Sequence, residues 1–349
     1  MKAGKLAIVS FTPNGKKLAE QIAVSLAQPL DGTAWDVTKT HKPENLKEWC
    51  GRQFASQDGI LFIGAMGIAV RTIAPYVSSK VFDPAVLVAD ELGQHVISVL
   101  SGHLGGGNEL TGQMAALIGA DPVITTASDV NHKIAIDVFA KKNNLYITDF
   151  NMAKKVAAAI VAGEKVSFSC EGKITGGIPW ELSGKREESA YHVWVSPKRP
   201  DRKENCLWLI PKAYILGIGC KKGKIKEQID NAITDFLFHH EIPLESIGEA
   251  VSIDLKKEEQ GLLEFCQSHE LPICFYSAKE LSQVPGIYQE SDFVKQITGV
   301  DNVCERAVVC HVRKAQPKAN KEEILIIEKT KLEGVTAALG KREWGVTFG

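Results

Sequence analysis

The residues best suited to chemistry are gathered in one short run, Ser101-Gly-His-Leu-Gly-Gly-Gly-Asn-Glu109. Consecutive glycines between an apolar run and a helix-period segment let the backbone approach a ligand closely, and the first N–H groups of a helix favour an anion. Gly105, Gly106 and Gly107, with Asn108 as the N-cap, have that arrangement, which reads either as an anion or oxyanion cradle or as a tight turn permitting close packing. His103 projects from the carboxyl end of the preceding strand, the usual ligand-facing edge of an open α/β sheet. With an ordinary pKa near ~6.5, it is either a proton-transfer group or a satisfied structural histidine. Glu109 either orients His103 or a substrate, or simply favours the helix dipole. Asp90 and Glu91, in a neighbouring turn, offer a second acid/base or an ordinary solvated turn.

Ser101 could bond substrate, but G-x-S-x-G is absent and a nucleophile elbow is unsupported. Gly64-Ala-Met-Gly-Ile-Ala-Val-Arg71 repeats the strand, glycine, helix plan, so Gly67 and Arg71 are candidate substrate contacts, with Arg71 either clamping a carboxylate bidentately or lying inert on a helix surface. In Gly217-Ile-Gly-Cys-Lys-Lys-Gly223 the third glycine comes one residue late for a dinucleotide fingerprint. Gly219, Cys220, Lys221 and Lys222, followed by Lys224 and Lys226, form either an anion site or a solvated charge cluster, and the positive setting should lower the Cys220 pKa. Gly102 to Gly107 has Walker spacing but continues as Asn-Glu, and neither His240 nor His269 opens an H-E-x-x-H motif. The eight cysteines are scattered with no C-x-x-C, which points to reduced thiols and no protein-held metal.

These groups need a scaffold, and the pattern supplies one. The chain has 349 residues, 44% hydrophobic, enough for two or three domains. Lys plus Arg number 41 against 42 Asp plus Glu, so a net charge of −1 gives no whole-protein attraction to nucleic acid or an anionic membrane. No apolar run resembles a signal peptide or membrane span, and the cytoplasm is the expected location. Short apolar runs alternate with helix-period segments, predicting a multi-domain α/β fold of largely parallel sheets flanked by helices, with a smaller α+β middle region.

The first domain, residues 1–135, takes strands at Leu6–Phe11, Gly59–Gly64, Val86–Ala89 and His95–Leu100, a turn at Pro13-Asn-Gly15, and helices at Lys16–Ala27, Ile68–Tyr76 and after Asn108. Residues 136–211 form a middle domain and linker, helical at Ala153–Ala162 and ending near the charged loop Ser196–Glu204. A last α/β domain, 212–349, takes strands at Ala213–Ile218, Ala250–Ile253, Ile273–Tyr276, Arg306–Val312 and Ile324–Glu328, and helices at Lys224–His239 and Lys256–His269.

Several motifs resemble the CbiG family: Phe62 to Arg71, Asp90 to Leu110, Thr125-Thr-Ala-Ser-Asp-Val-Asn131 with Asp137, Gly217 to Gly223, and Gly299 to Arg306. The last also resembles the stand-alone CobE proteins. The resemblance covers nearly the whole chain. It implies a hydrolase of anaerobic cobalamin biosynthesis that opens the δ-lactone of cobalt-precorrin-5A and releases acetaldehyde, giving cobalt-precorrin-5B. It further implies a cobalt-corrinoid substrate that brings its own metal, no protein cofactor, and transient contacts with neighbouring pathway enzymes. On that basis His103, directly or through Glu109 or Asp90, activates water, the Gly105 to Gly107 N–H groups hold the oxyanion, and Arg71 and the lysine-rich turn receive substrate carboxylates. The alternative is a corrinoid-binding or channelling protein without turnover.

Overall fold

The protein is described by a computed structural model covering residues 4–26, 35–79, 82–201 and 204–348. Ala27 of the first expected helix, and Arg202 and Lys203 of the charged loop, lie outside the described residues. The chain forms two compact units, Met1–Phe139 with Ile160–Ala162, and Ala140–Ala159 with Gly163–Gly349. Among the described residues no helix is long and apolar enough to cross a membrane.

The first unit is built on strands Gly4–Ser10 (β1), Trp35–His41 (β2), Gly59–Ile63 (β3), Ala85–Ala89 (β4), His95–Leu100 (β5) and Asp121–Val123 (β6). Its helices are Pro13–Leu26 (α1), Leu46–Phe54 (α2), Met66–Ile73 (α3), Gly107–Ile118 (α4), Ala127–Val130 (α5) and the start of Ile136–Lys142 (α6). The strands lie in the order β2-β1-β3-β4-β5-β6. β3 and β4 are buried at every residue, because helices cover both faces, and this is why they read as unbroken apolar runs. Leu6, Ile8, Leu61 and Leu87 pack with α1 and α4 on one face, while Ala7, Val9, Ile60 and Phe62 pack with Trp49 and Ala69 on the other.

Two local expectations change. Pro13-Asn14-Gly15 is the first turn of α1, not a turn before it: proline suits the opening position of a helix, and Thr12 Oγ1 accepts the Gly15 N–H at 3.0 Å. More consequential is the hairpin between β4 and β5. These strands pair antiparallel, with Val86 opposite Leu100 and Ala89 opposite Val96, whereas β5 and β6 are parallel. The carboxyl ends of β5 and β6 therefore emerge at the edge where β3 and β4 begin.

In the second unit, Leu145–Ile147 (β7), the helix Phe150–Val161 (α7), Ser167–Cys170 (β8), Lys173–Thr175 (β9), His192–Val195 (β10) and Cys206–Pro211 (β11) precede the larger sheet. The middle stretch thus has its own four-stranded sheet, β7-β11-β10-β8. The larger sheet follows from Tyr214–Cys220 (β12), Lys226–His239 (α8), Ile247–Ile253 (β13), Gln260–Ser268 (α9), Ile273–Tyr276 (β14), Ala278–Ser282 (α10), Asp292–Thr298 (α11), Cys304–Ala315 (α12), Lys321–Ile324 (α13), Leu325–Leu332 (β15) and Val335–Lys341 (β16). Its order is β14-β13-β12-β16-β15, parallel across β14, β13 and β12 and antiparallel beyond. Gly345–Thr347 (β17) pairs with β9.

The strand expected at Arg306–Val312 is instead the middle of α12. Its β-branched residues mislead, but Cys304, Ala307, Val308 and Val312 recur at helical spacing, and all are buried. Asn302 Oδ1 accepts the Glu305 N–H at 3.1 Å near the start of this helix. Ile324, expected to open a strand, ends α13, and the strand begins one residue later.

Close approach of α12 to β12 explains Gly217 without a nucleotide: a Cβ there would meet the Cys304 carbonyl oxygen and come within 2.8 Å of Val308. Gly217→Ala should lower stability by about 1–3 kcal/mol through overpacking. Gly112, inside α4 with open space around it, should behave oppositely, Gly112→Ala gaining up to about 1 kcal/mol from helix propensity. Thermal melts of the two variants check both signs.

Candidate active site

The loop leaving β5 and the chain leaving β6 meet around His103. Its Nε2 lies 3.0 Å from Asp129 Oδ2 and 3.0 Å from Ser128 Oγ, both on α5. Its Nδ1 lies 3.3 Å from Asp137 Oδ1, in the first turn of α6. One imidazole thus bridges carboxylates from two successive helices. The Asp137 hydrogen bond raises the His103 pKa above its ordinary value, burial opposes it in part, and Asp129 adds to the rise. The Asp137 and His103 side chains are largely covered, at 15% and 20% exposure, while Asp129 is 40% exposed and forms the open side of the cluster.

Asn108 holds this arrangement from beneath. It is not the N-cap of α4; Gly106, in the left-handed conformation, occupies that position. The Asn108 side chain accepts from Ser98 Oγ at 2.7 Å and donates to Thr126 Oγ1 at 2.8 Å and Asp129 Oδ2 at 3.0 Å. A buried amide so fully engaged fixes the position of Asp129 relative to β5.

The glycines serve this packing, and two of the three N–H groups of the expected cradle are engaged in it. The Gly106 N–H donates to the His103 carbonyl and the Gly107 N–H to the Ser101 carbonyl, so neither is available to an oxyanion. A Cβ at Gly102 would come within 2.6 Å of Asn108 Oδ1, and one at Gly105 within 2.7 Å of the Ser101 carbonyl oxygen. Ser101 itself is buried at φ 55°, and its Oγ has no hydrogen-bond partner among the described residues.

The other expected partners of His103 lie elsewhere. Asp90 follows β4, at the opposite edge of the sheet, roughly 16 Å away for a five-residue strand at ~3.3 Å per residue. Its carboxylate accepts the N–H groups of Leu92, Gln94 and His95 at 2.9, 3.0 and 2.6 Å. Burial raises the Asp90 pKa, but these N–H groups outweigh it and hold the carboxyl below its ordinary value, as suits a turn anchor. Gly67 and Arg71, exposed on α3, share that edge because α3 leaves the carboxyl end of β3. Glu109 is exposed in the first turn of α4, where its charge favours the helix dipole. Asp129, Asp137 and Ser128 were not singled out as site residues from spacing: Asp129 lies 26 positions beyond His103, too far for a local pattern to join the two. The reversal of β5 is what brings them together.

In the second unit, Gly219, Cys220, Lys221 and Lys222 line a cavity of about 650 Å³ with Lys256, Lys329 and Lys331. Its wall is mostly apolar, with Ile253, Val294, Ile297, Val303 and Leu332. The lysine-rich turn is partly neutralised already, since Glu259 accepts the Gly223 N–H at 2.6 Å and the Lys256 ammonium at 2.9 Å. The expected depression of the Cys220 pKa is reversed: burial raises the thiol, outweighing the pull of Lys256.

Comparison with known proteins fits both loci into one family. Family models match in order along the chain: cobalamin synthesis G N-terminal at residues 48–129, cobalamin biosynthesis central region at 134–211, and cobalamin synthesis G C-terminus at 214–340. A cobalt-precorrin-5A hydrolase from Priestia megaterium is 32% identical over 337 residues, covering 88% of this chain and 89% of that protein. The chain belongs to the cobalamin synthesis G family. Another relative, a cobalt-precorrin-5A hydrolase from Salmonella typhimurium, is 33% identical over 87% of this chain and 90% of its own length. A solved structure described as a cobalamin biosynthesis protein G homolog from Sulfolobus solfataricus is 20% identical with a TM-score of 0.43, covering 97% of each chain. The N-terminal family segment includes His103, Asn108, Ser128 and Asp129, and the C-terminal one includes the cavity-lining turn.

The His103 cluster predicts a titration. A raised folded pKa means that the ion pairs stabilise the first unit fully below the unfolded-state value of ~6.5 and that this contribution fades as pH rises through the folded value. An NMR titration should show the His103 imidazole protonated to higher pH than an ordinary histidine. Asp137→Asn should move that midpoint down, and an unmoved midpoint would show that Asp137 does not set it.

Proposed function

We propose that this protein is a cobalt-precorrin-5A hydrolase, acting in the cytoplasm on a cobalt corrinoid and centred on His103 in the first unit. The observation that carries the assignment of the site is the bridging of one imidazole between Asp129, in the N-terminal family segment with His103, and Asp137, in the central one. Asp137 orients the ring at Nδ1 and stabilises its cation. Nε2, on the side opened to solvent by Asp129, takes a proton from water as the water oxygen adds to the lactone carbonyl. The acyl C–O bond then breaks, leaving a carboxylate and a hydroxyl. Loss of the hydroxyl proton lets its oxygen form the acetaldehyde carbonyl while the adjacent C–C bond breaks, its electron pair passing into the conjugated corrinoid. The cobalt belongs to the substrate, and the step asks no metal or cofactor of the protein.

Taken by itself, the cavity of the second unit also suits a corrinoid. A corrinoid presents an apolar macrocycle fringed with carboxylates, and an apolar wall rimmed by five lysines suits both parts. In this reading Lys221 and Lys222 receive carboxylates. A carrier without turnover would need this surface but not the His103 cluster.

A second chemical reading rests on Ser128. With Oγ 3.0 Å from Nε2 and Asp137 at the far nitrogen, Ser128, His103 and Asp137 stand in the order of a nucleophile, base and orienting acid. Anaerobic incubation with cobalt-precorrin-5A, following acetaldehyde and the mass of the corrinoid, tests both. His103→Ala should lower turnover by about 10²–10⁴ while the corrinoid still binds. Retained turnover would sink the assignment of the site, and a wild-type protein that binds without releasing acetaldehyde would favour the carrier. Ser128→Ala should remain active if water is the nucleophile and lose activity comparably to His103→Ala if the serine is.

A further inference from the structure

A second cluster of ligating groups lies in the second unit, on the face of the larger sheet that α12 covers. Glu249 comes from β13, Cys274 from β14 and His311 from α12, and one ligand atom from each falls within 4.8 Å of the other two. The strands enforce this. Cys274 is the register partner of Val251, two residues beyond Glu249, so both side chains face α12. The buried apolar contacts of Val251, Ile253, Val308 and Val312 hold the helix against that face.

The spacing also matches what an ion between the groups would impose, although the Cys274 thiol can donate directly to Glu249. Glu249 Oε2 is 3.3 Å from His311 Nε2 and 3.8 Å from Cys274 Sγ. A charge-assisted N–H···O contact would normally be about 2.7–2.9 Å. A tetrahedral ion with ordinary zinc bond lengths separates nitrogen from oxygen by roughly 3.3 Å and sulfur from oxygen by roughly 3.5 Å. The remaining carboxylate oxygen, Oε1, is held by Arg342 at 3.0 Å, which orients Glu249 and leaves Oε2 turned to the other two.

His311 is prepared for the same task. Its Nδ1 lies 2.7 Å from the buried Tyr276 hydroxyl, the outer partner that a ligating imidazole usually has. With Nδ1–H donating to that oxygen, Nε2 is the free ligand. Three protein ligands of O, S and N type with all three residues partly exposed leave a fourth position for water.

We propose that Glu249, Cys274 and His311 form a binding site for a free divalent transition ion of borderline softness, zinc or cobalt(II). The site is distinct from the substrate's cobalt: a metal inside a corrinoid ring offers only axial positions, while these three atoms converge on one side of a single ion. The three form no recognisable sequence motif, since Cys274 lies 25 positions after Glu249 and His311 lies 37 after Cys274.

The test uses the full-length protein, stripped with chelator, kept reduced and titrated with Co²⁺. Stoichiometric Co²⁺ should produce a thiolate-to-cobalt charge-transfer band that Zn²⁺ abolishes by displacement. Cys274→Ser, its fold verified by circular dichroism, should lose the band, and Cys310→Ser, one residue before His311, should keep it. Tyr276→Phe, which leaves the ligands intact, should weaken Co²⁺ binding by about 10–100-fold. No band in the wild type, a band that persists in Cys274→Ser or disappears in Cys310→Ser, or unchanged affinity in Tyr276→Phe would overturn the proposal as stated.

Discussion

Because β5 runs antiparallel to β4, the first unit has two chemically different edges. One carries the loops after β3 and β4, with Gly67, Arg71 and Asp90; the other carries the loops after β5 and β6, with His103, Ser128 and Asp129. A fully parallel sheet would have put all these groups together, and the rule that ligands bind beyond the carboxyl ends of strands would then pick out one site. Here the rule holds for each set of strands separately, and the β5 and β6 set is the one where titratable groups converge.

That convergence sets a ring of raised pKa between two carboxylates in a partly covered setting. Holding these titratable groups together in a partly covered setting is favourable only if their geometry is fixed, which places the burden on Asn108 and the glycines around it. Gly102 admits the Asn108 amide and Gly105 admits the Ser101 backbone, while the Gly107 N–H closes the turn on Ser101. The triple glycine is therefore a packing device whose product is the position of Asp129 and His103. A bulkier residue in this turn would displace the network and not merely strain a loop.

This explains what could be read from the residues in advance. Strands β1, β3 and β4 and helix α1 were legible because apolar runs and helical periodicity are local properties of the chain. The location of chemistry near His103 was legible too, since a titratable ring among glycines between a strand and a helix is also a local pattern. Its partners were not, because Asp129 and Asp137 reach it through the pairing of β5 with β6, and strand direction leaves no mark in single-strand composition. Glu109 and Asp90 looked like partners by nearness along the chain, yet one points to solvent and the other anchors its own turn. At α12 the local signal itself was ambiguous: Val308, Val309 and Val312 fit strand propensity, Cys304, Ala307, Val308 and Val312 keep helical spacing, and packing against β12 and β13 decides for the helix.

The two edges also differ in how well their turns obey local rules. Around Asp90 the carboxylate satisfies three peptide N–H groups, and Gly93 takes the positive φ that the turn needs. Around Ser101 a residue with a Cβ sits in the left-handed region, at a cost of roughly 1–2 kcal/mol, and buries a hydroxyl that has no partner among the described residues. Glycine at position 101 would remove both penalties. The serine's retention of strain and an unsatisfied hydroxyl two residues from His103 is what a site shaped for something other than stability looks like. The turn at Asp90 carries neither cost, so of these two turns the strained one is the one beside the titratable cluster.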